Sequence, residues 1–299
     1  MFTQFFGNYL LGEGYVTISQ LLEALELQKS VKLKLGVLAI GAGYMNAAQV
    51  DKVHSLQSKI DKRFGTIAIE MGYLTEEQVN ELLKSQKTGY LLLGQALVDK
   101  GYITNEQFQN AIENYKKEHK IKEADFTLTQ NEKMLEIIEN FYELEFFEEA
   151  ALYTEYISLL FKNIVRFIGD DFTPLKSIAF EEIECKNFTA QTIEGDFNIY
   201  TALECDDDAF ISFASRFSQE LYTNKDEYVE ASVSEFLNLN NGIFCVNMSN
   251  NNGMDLELTP QVSYNNKKLT KVRNAFCIPI RFTFGVVNFF IIGNIPTII

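Results

Sequence analysis

The sequence predicts an α+β protein in which an all-α array comes first and a domain of long helices and antiparallel strands follows. Three observations carry this. The dipeptide Gly-Tyr recurs every 29 residues in the first third, at Gly14-Tyr15, Gly43-Tyr44, Gly72-Tyr73 and Gly101-Tyr102. Apolar residues make up 46% of the chain, with 25 Phe and 14 Tyr, which is core-forming material rather than the composition of a disordered chain. Beyond residue 170, β-rich segments bounded by Gly, Asp and Pro are interleaved with amphipathic helical stretches. A length of 299 residues suits two domains, drawn here as 1–116 and 151–299 with an acidic helical linker over 117–150.

Each N-terminal unit is expected to be a helix–turn–helix, and the four units share one core. Gly7, Gly36, Gly65 and Gly94 keep the 29-residue period, as do Gln20, Gln49, Gln78 and Gln107. In the third unit a short apolar helix runs to Gly72, which suits the left-handed position after a helix. Thr75 then caps a second helix, with Gln78 completing a capping box, and Thr17/Gln20, Asn46/Gln49 and Thr104/Gln107 are equivalent. Neither helix is long enough to stand alone, so neighbours must pack together. The pattern resembles the N-terminal domain of type II secretion and type IV pilus ATPases, the MshE-N type, over about residues 1–116. Arg63, Phe64, Gly65, Gly72, Leu83 and Gln86 match that family's motif in the third unit. Lys34, Leu35, Gly36, Gly43 and Gln57 match it in the second, which departs at His54, where an apolar residue is expected. Phe5 and Leu92 replace the arginine in the outer two units. The resemblance implies either a helical interaction module or a cyclic di-GMP clamp using Lys34 and Arg63, although lysine lacks the planar fork of arginine.

The linker carries the charged stretch KKEHKIKEADF, then a capping box at Thr129 and Glu132. Met134, Ile137, Ile138, Phe141 and Leu144 follow at helical spacing, so this segment is expected to be an amphipathic helix with a solvated acidic face.

In the C-terminal half a helix ends at Gly169. SIAFEEIECKNFTAQTI and FNIYTALEC read as strands around a turn at Glu194-Gly195-Asp196. Helices cover FISFASRFSQEL and DEYVEASVSEFLNLNN, with Gly242 as the end signal of the second. Strands MDLELTPQVSY, NAFCIPIRF and VVNFFII come last, and Gly285 makes a hairpin of the final two.

The second of these helices holds the candidate site. At about 100° per residue, Val229, Val233, Phe236 and Leu237 share one face, which must be the core side. Glu235 and Asn238 project together into solvent from the other side, roughly 60° apart, with Glu227, Ala231 and Ser234. The Glu-x-x-Asn motif followed by Gly242, within this strand–helix order over about 151–294, resembles the CheC/CheX chemotaxis phosphatases and is most CheX-like. The resemblance implies hydrolysis of the phosphoaspartate of a response-regulator receiver domain. The receiver would bring Mg²⁺ and a lysine, Asn238 would orient the attacking water, and Glu235 would pair with that lysine. Such phosphoryl transfer depends on positioning and electrostatics, so neither residue needs a perturbed pKa. Ala231 stands where related proteins often have a polar residue. The first helix of this half, LYTEYISLLFKN, carries no second Glu-x-x-Asn, so one active surface per domain is expected. A homodimer is a further implication of the resemblance.

Composition limits the alternatives. A net charge of −15 and a pI of about 4.7 disfavour nucleic acid and anionic membrane surfaces, which need basic patches. Cys185, Cys205, Cys245 and Cys277 form no CxxC and read as free thiols in a reducing cytoplasm. With only His54 and His119, no protein-held metal is expected. The N-terminus lacks a basic n-region, so no signal peptide is read, and the most apolar run, FGVVNFFIIGNIPTII, is too short and interrupted to span a bilayer. The expectation is a cytoplasmic bacterial phosphatase of two-component signalling, with the repeats as a regulatory or docking module. The alternatives are a non-catalytic adaptor for a receiver or a pilus or secretion component, and a cyclic di-GMP-responsive protein.

Overall fold

A computed structural model describes residues 2–84, 89–119, 130–144 and 149–299. The chain forms two compact units, Phe2–Gln130 and Asn131–Ile299.

The first unit is helical: α1 (Phe2–Gly12), α2 (Ile18–Leu27), α3 (Leu35–Gly41), α4 (Ala47–Gln57), α5 (Phe64–Glu70), α6 (Glu76–Lys84), α7 (Gly89–Asp99) and α8 (Asn105–Glu118). The two glycine series have different jobs. The Gly-Tyr glycines all take φ of 70–71°, and the tyrosine N–H that follows closes back on the helix, as in Tyr73 to the Ala68 carbonyl at 2.9 Å. The other series lets helices touch. A Cβ at Gly36 would come within 2.7 Å of Val50, one at Gly65 within 3.3 Å of Val79, and one at Gly94 would overlap the Phe108 ring. The capping boxes form at Thr17, Asn46 and Thr104, and Thr75 and Gln78 exchange the same two bonds at 2.9 and 3.2 Å. α1 and α2 pack on α7, and α4 packs on α5 and α8.

The second unit begins with α9 (Gln130–Tyr142) and α10 (Ala150–Phe167). Met134, Ile137, Ile138 and Leu144 are buried as expected, while Tyr142 rather than Phe141 completes the apolar face. The capping box at Thr129 and the match at Gln86 lie outside the described residues. Strands β1 (Phe172–Pro174), β2 (Ile178–Ala179), β3 (Ile183–Gly195) and β4 (Ile199–Cys205) come next. They are followed by α11 (Asp207–Ser218), α12 (Glu227–Asn252), β5 (Leu256–Leu258), β6 (Val262–Thr270), β7 (Ala275–Phe282), β8 (Gly285–Ile292) and β9 (Thr297–Ile298). The sheet is antiparallel, in the order β1-β7-β8-β4-β3-β6-β9, with β2 also on β7 and β5 also on β3.

The β7–β8 hairpin closes at Phe282 and Gly285 as read from the sequence. Two segments expected as single strands are each two. The first divides into β2 and β3. The second divides into β5 and β6 around Pro260, which has no N–H for a ladder. The α12 helix also differs from expectation. It passes through Gly242 and ends ten residues later, where Gly253 takes φ 68°. A mid-helix glycine costs only about 1 kcal/mol, which a helix packed along its length absorbs.

α11 and α12 lie on one sheet face, where Phe213 and Phe236 both meet Phe289. Tyr153 of α10 meets Phe276 of β7 edge-on. Alternate residues enter a second apolar cluster with Phe188, Tyr200, Cys277, Phe290 and Ile292. Arg216 of α11 makes two bonds to the buried Asp171 carboxylate, at 2.7 and 2.9 Å, and Thr283 of the β7–β8 turn donates to the same carboxylate.

Candidate functional site

The long helix α12 is fixed from both ends and along one side. Asp226 accepts from the N–H groups of Tyr228 and Val229 at 3.1 and 3.0 Å, which caps the start. Val229, Val233, Phe236 and Leu237 are all 0% exposed, the core face expected from their spacing. Phe236 stacks edge-on against Phe213 and Phe217.

Glu235 and Asn238 occupy the other side. Glu235 is exposed, and Asn238 Nδ2 donates to its carboxylate at 3.4 Å. Asn238 is not a free surface group, which corrects the picture of two side chains both projecting into solvent. It is half-buried against β3, and its Oδ1 accepts from Gln191 Nε2 at 2.9 Å. Gln191 Nε2 also donates to the Thr259 carbonyl at 2.9 Å, and Gln191 Oε1 accepts from Asn241 Nδ2 at 3.0 Å. Asn241 Nδ2 also donates to Thr201 Oγ1 at 2.9 Å, and Asn241 Oδ1 accepts from the Tyr156 hydroxyl at 2.7 Å. Burial pushes the Tyr156 phenol up, so it stays a donor. Ser234, one residue before Glu235, shares hydroxyl bonds with Thr189 and Ser263 at 2.9 and 3.2 Å.

Local spacing on the helix does not reveal Gln191, Asn241 and Tyr156. One signal was present in β3. Asn187, Thr189 and Gln191 alternate with Phe188 and Ala190, and such polar residues are ordinarily assigned to solvent. All three are buried, and Thr189 and Gln191 bond to side chains of α12.

The two residues singled out in the helical unit stand at equivalent places. Lys34 and Arg63 have extended backbones immediately before α3 and α5. Leu35 packs against Gly65, so the two helix starts are neighbours. Lys34 Nζ is paired with Asp99 at 2.5 Å, and its N–H donates to Gln95 Oε1 at 3.1 Å. His54, at a position expected to be apolar, lies 5.0 Å from the Phe64 ring. Burial, then the Lys34 charge, lowers its pKa, so it packs as a neutral ring.

A cavity of about 650 Å³ opens elsewhere in the second unit, lined by Lys186, Glu204, Lys267 and Asn288 among others. Its buried carboxylate, Glu204, is already bonded to the Lys186 N–H at 3.2 Å and to Asn288 at 2.8 Å. All four cysteines are free thiols. Among the described residues no helix is long and apolar enough to cross a membrane.

No protein-family model matches the chain, and no curated protein matches it. Solved structures match its second half. A CheC-like superfamily protein from Shewanella sp. PV-4 is 12% identical, with a TM-score of 0.42, over 47% of this chain and 96% of its own. CheX from Vibrio vulnificus is 15% identical, with a TM-score of 0.41, over 48% and 98%. CheX from Borrelia burgdorferi, in a complex with CheY, BeF3 and Mg²⁺, is 13% identical, with a TM-score of 0.40, over 47% and 96%.

Proposed function

We propose that the second unit is a phosphatase for the aspartyl-phosphate of a receiver domain, with Asn238 and Glu235 as its contribution to a shared active site. One observation carries the reading. A carboxylate and a carboxamide sit one turn apart on the outward side of a helix whose opposite side is wholly buried, and the carboxamide is held from below. Such a pair can orient water and pair with a cation. It has no nucleophile of its own, so the phosphorylated group must come with the substrate. In the reaction a water oxygen bonds to phosphorus, the phosphorus–oxygen bond to the aspartate breaks, and the carboxylate leaves with the bonding pair. Asn238 Oδ1 accepts a hydrogen of the attacking water, and the released proton passes to solvent. Glu235 pairs with the receiver's lysine. Mg²⁺ belongs to the receiver and neutralises phosphoryl charge.

The helical unit acts in this reading as a regulatory or docking module. Cyclic di-GMP binding at Lys34 and Arg63 would require displacement of Asp99 from Lys34. The test is release of inorganic phosphate from phosphorylated, Mg²⁺-loaded receivers. Acceleration above the receiver's own decay is expected for at least one. None across a panel of receivers from the same organism would overturn the reading in favour of an adaptor.

A further inference from the structure

Beneath the site, Tyr156, Thr201, Asn241 and Gln191 form a polar chain in which no member is more than 2% exposed. Buried polar side chains are costly unless fully bonded, and apolar residues of similar shape would fill the same space. The chain therefore calls for an explanation beyond packing. Its bonds have a direction, and that direction starts from the backbone. The Thr259 carbonyl can only accept, so the Gln191 atom 2.9 Å away must be the NH₂. Gln191 Oε1 then faces Asn241, which must offer its own NH₂, and Asn241 Oδ1 is left to accept from Tyr156. The second hydrogen of Gln191 Nε2 points at Asn238, whose facing atom must be the carbonyl oxygen. Asn238 is the outlet of the chain, the one carboxamide in it that reaches the surface.

We propose that Gln191 is a positioning residue that fixes both the rotamer and the sense of the Asn238 carboxamide. Held this way, Asn238 Oδ1 spends one lone pair on Gln191 and keeps the other for the attacking water. Its Nδ2 is turned toward Glu235, so the two groups that meet the receiver are set relative to one another before it arrives. This is preorganisation of a catalytic group by a buried partner. The inference rests on the phosphatase reading for its kinetic consequence, but the orientation itself can be tested without it.

The variants are Gln191→Met, which keeps length and removes both donors, and Gln191→Glu, which keeps shape and the acceptor toward Asn241 but places oxygen where two acceptors need a donor. The full chain is used. The first readout is ¹⁵N relaxation of the Asn238 side-chain amide, assigned by its loss in Asn238→Asp. It is expected to be rigid in the wild type and mobile in both variants, with backbone spectra otherwise retained. The second is turnover of a phosphorylated receiver, with kcat falling roughly 10- to 100-fold and KM changing less than about twofold. An Asn238 amide as rigid in the folded variants as in the wild type overturns the inference. So does an unchanged kcat. If the wild type does not accelerate dephosphorylation, the phosphatase reading fails, and the relaxation measurement alone decides whether Gln191 positions Asn238. If Gln191→Met does not fold, the isosteric Gln191→Glu decides.

Discussion

Gly242 separates the needs of the fold from those of the site. It lies in the middle of α12, one turn beyond Asn238 and about 40° around the helix from it, so it borders the candidate surface. Its backbone is helical, and among the described residues a Cβ there would meet only Leu258 Cδ1, at 3.9 Å, which is an ordinary contact. Nothing among the described residues requires glycine. A glycine inside a helix costs about 0.5–1 kcal/mol relative to alanine. Gly242→Ala is therefore expected to stabilise the second unit by that amount, a Tm rise of roughly 1–4 °C for a domain of this size. On the proposed phosphatase reading, the same methyl would stand on the surface that meets the receiver, so receiver dephosphorylation is expected to slow while stability rises. Calorimetry or urea unfolding measures the first effect, and phosphate release the second. A fall in stability would refute the packing argument. Higher stability with unchanged turnover would refute the placement of Gly242 at the contact.

Other consequences follow from the two units. Asp171→Ala leaves the Arg216 guanidinium without its buried carboxylate and is expected to cost about 3 kcal/mol, read from urea melts of the second unit. Gly94→Ala forces a methyl into the Phe108 ring and is expected to destabilise the helical unit by about 1–3 kcal/mol, whereas Gly12→Ala, with no described residue within 4 Å of the added carbon, should be far milder. His54 is held below its ordinary 6.5 chiefly by burial. The unfolded chain therefore takes up the proton first as pH falls. The stability linked to His54 is complete above 6.5 and is lost as pH drops through the lowered folded value. His54→Leu is expected to flatten that part of the pH dependence, checked by comparing urea melts at about pH 7.5 and about pH 5.5.

Features set by neighbouring residues were legible in the sequence. The left-handed glycines and the capping boxes depend on a few adjacent residues, and a 29-residue period multiplies the signal. The buried face of α12 and the Phe282–Gly285 hairpin follow from periodicity and turn chemistry. The end of α12 was misjudged because Gly242 has the composition of a stop, while the stop lies at Gly253 behind a run of asparagines with weak helix propensity. The strand break at residues 180–182 depends on pairing with β7, far away in sequence, whereas Pro260 was a local signal that the single-strand reading passed over. The site was half visible. The Glu235–Asn238 spacing is local, but the bond from Gln191 spans 47 residues, and the bond from Tyr156 to Asn241 spans 85. No periodicity within one segment encodes such contacts. The alternating polar residues of β3 were the visible trace, and all three are buried.

The most direct measurement compares Asn238→Ala with the wild type on a phosphorylated receiver that the wild type acts upon, with receiver binding measured separately. Binding is expected to persist while acceleration of phosphate release falls to the receiver's own decay. An Asn238→Ala protein that binds and dephosphorylates as the wild type does would contradict it, and would leave the Glu-Asn pair as surface chemistry on a well-anchored helix.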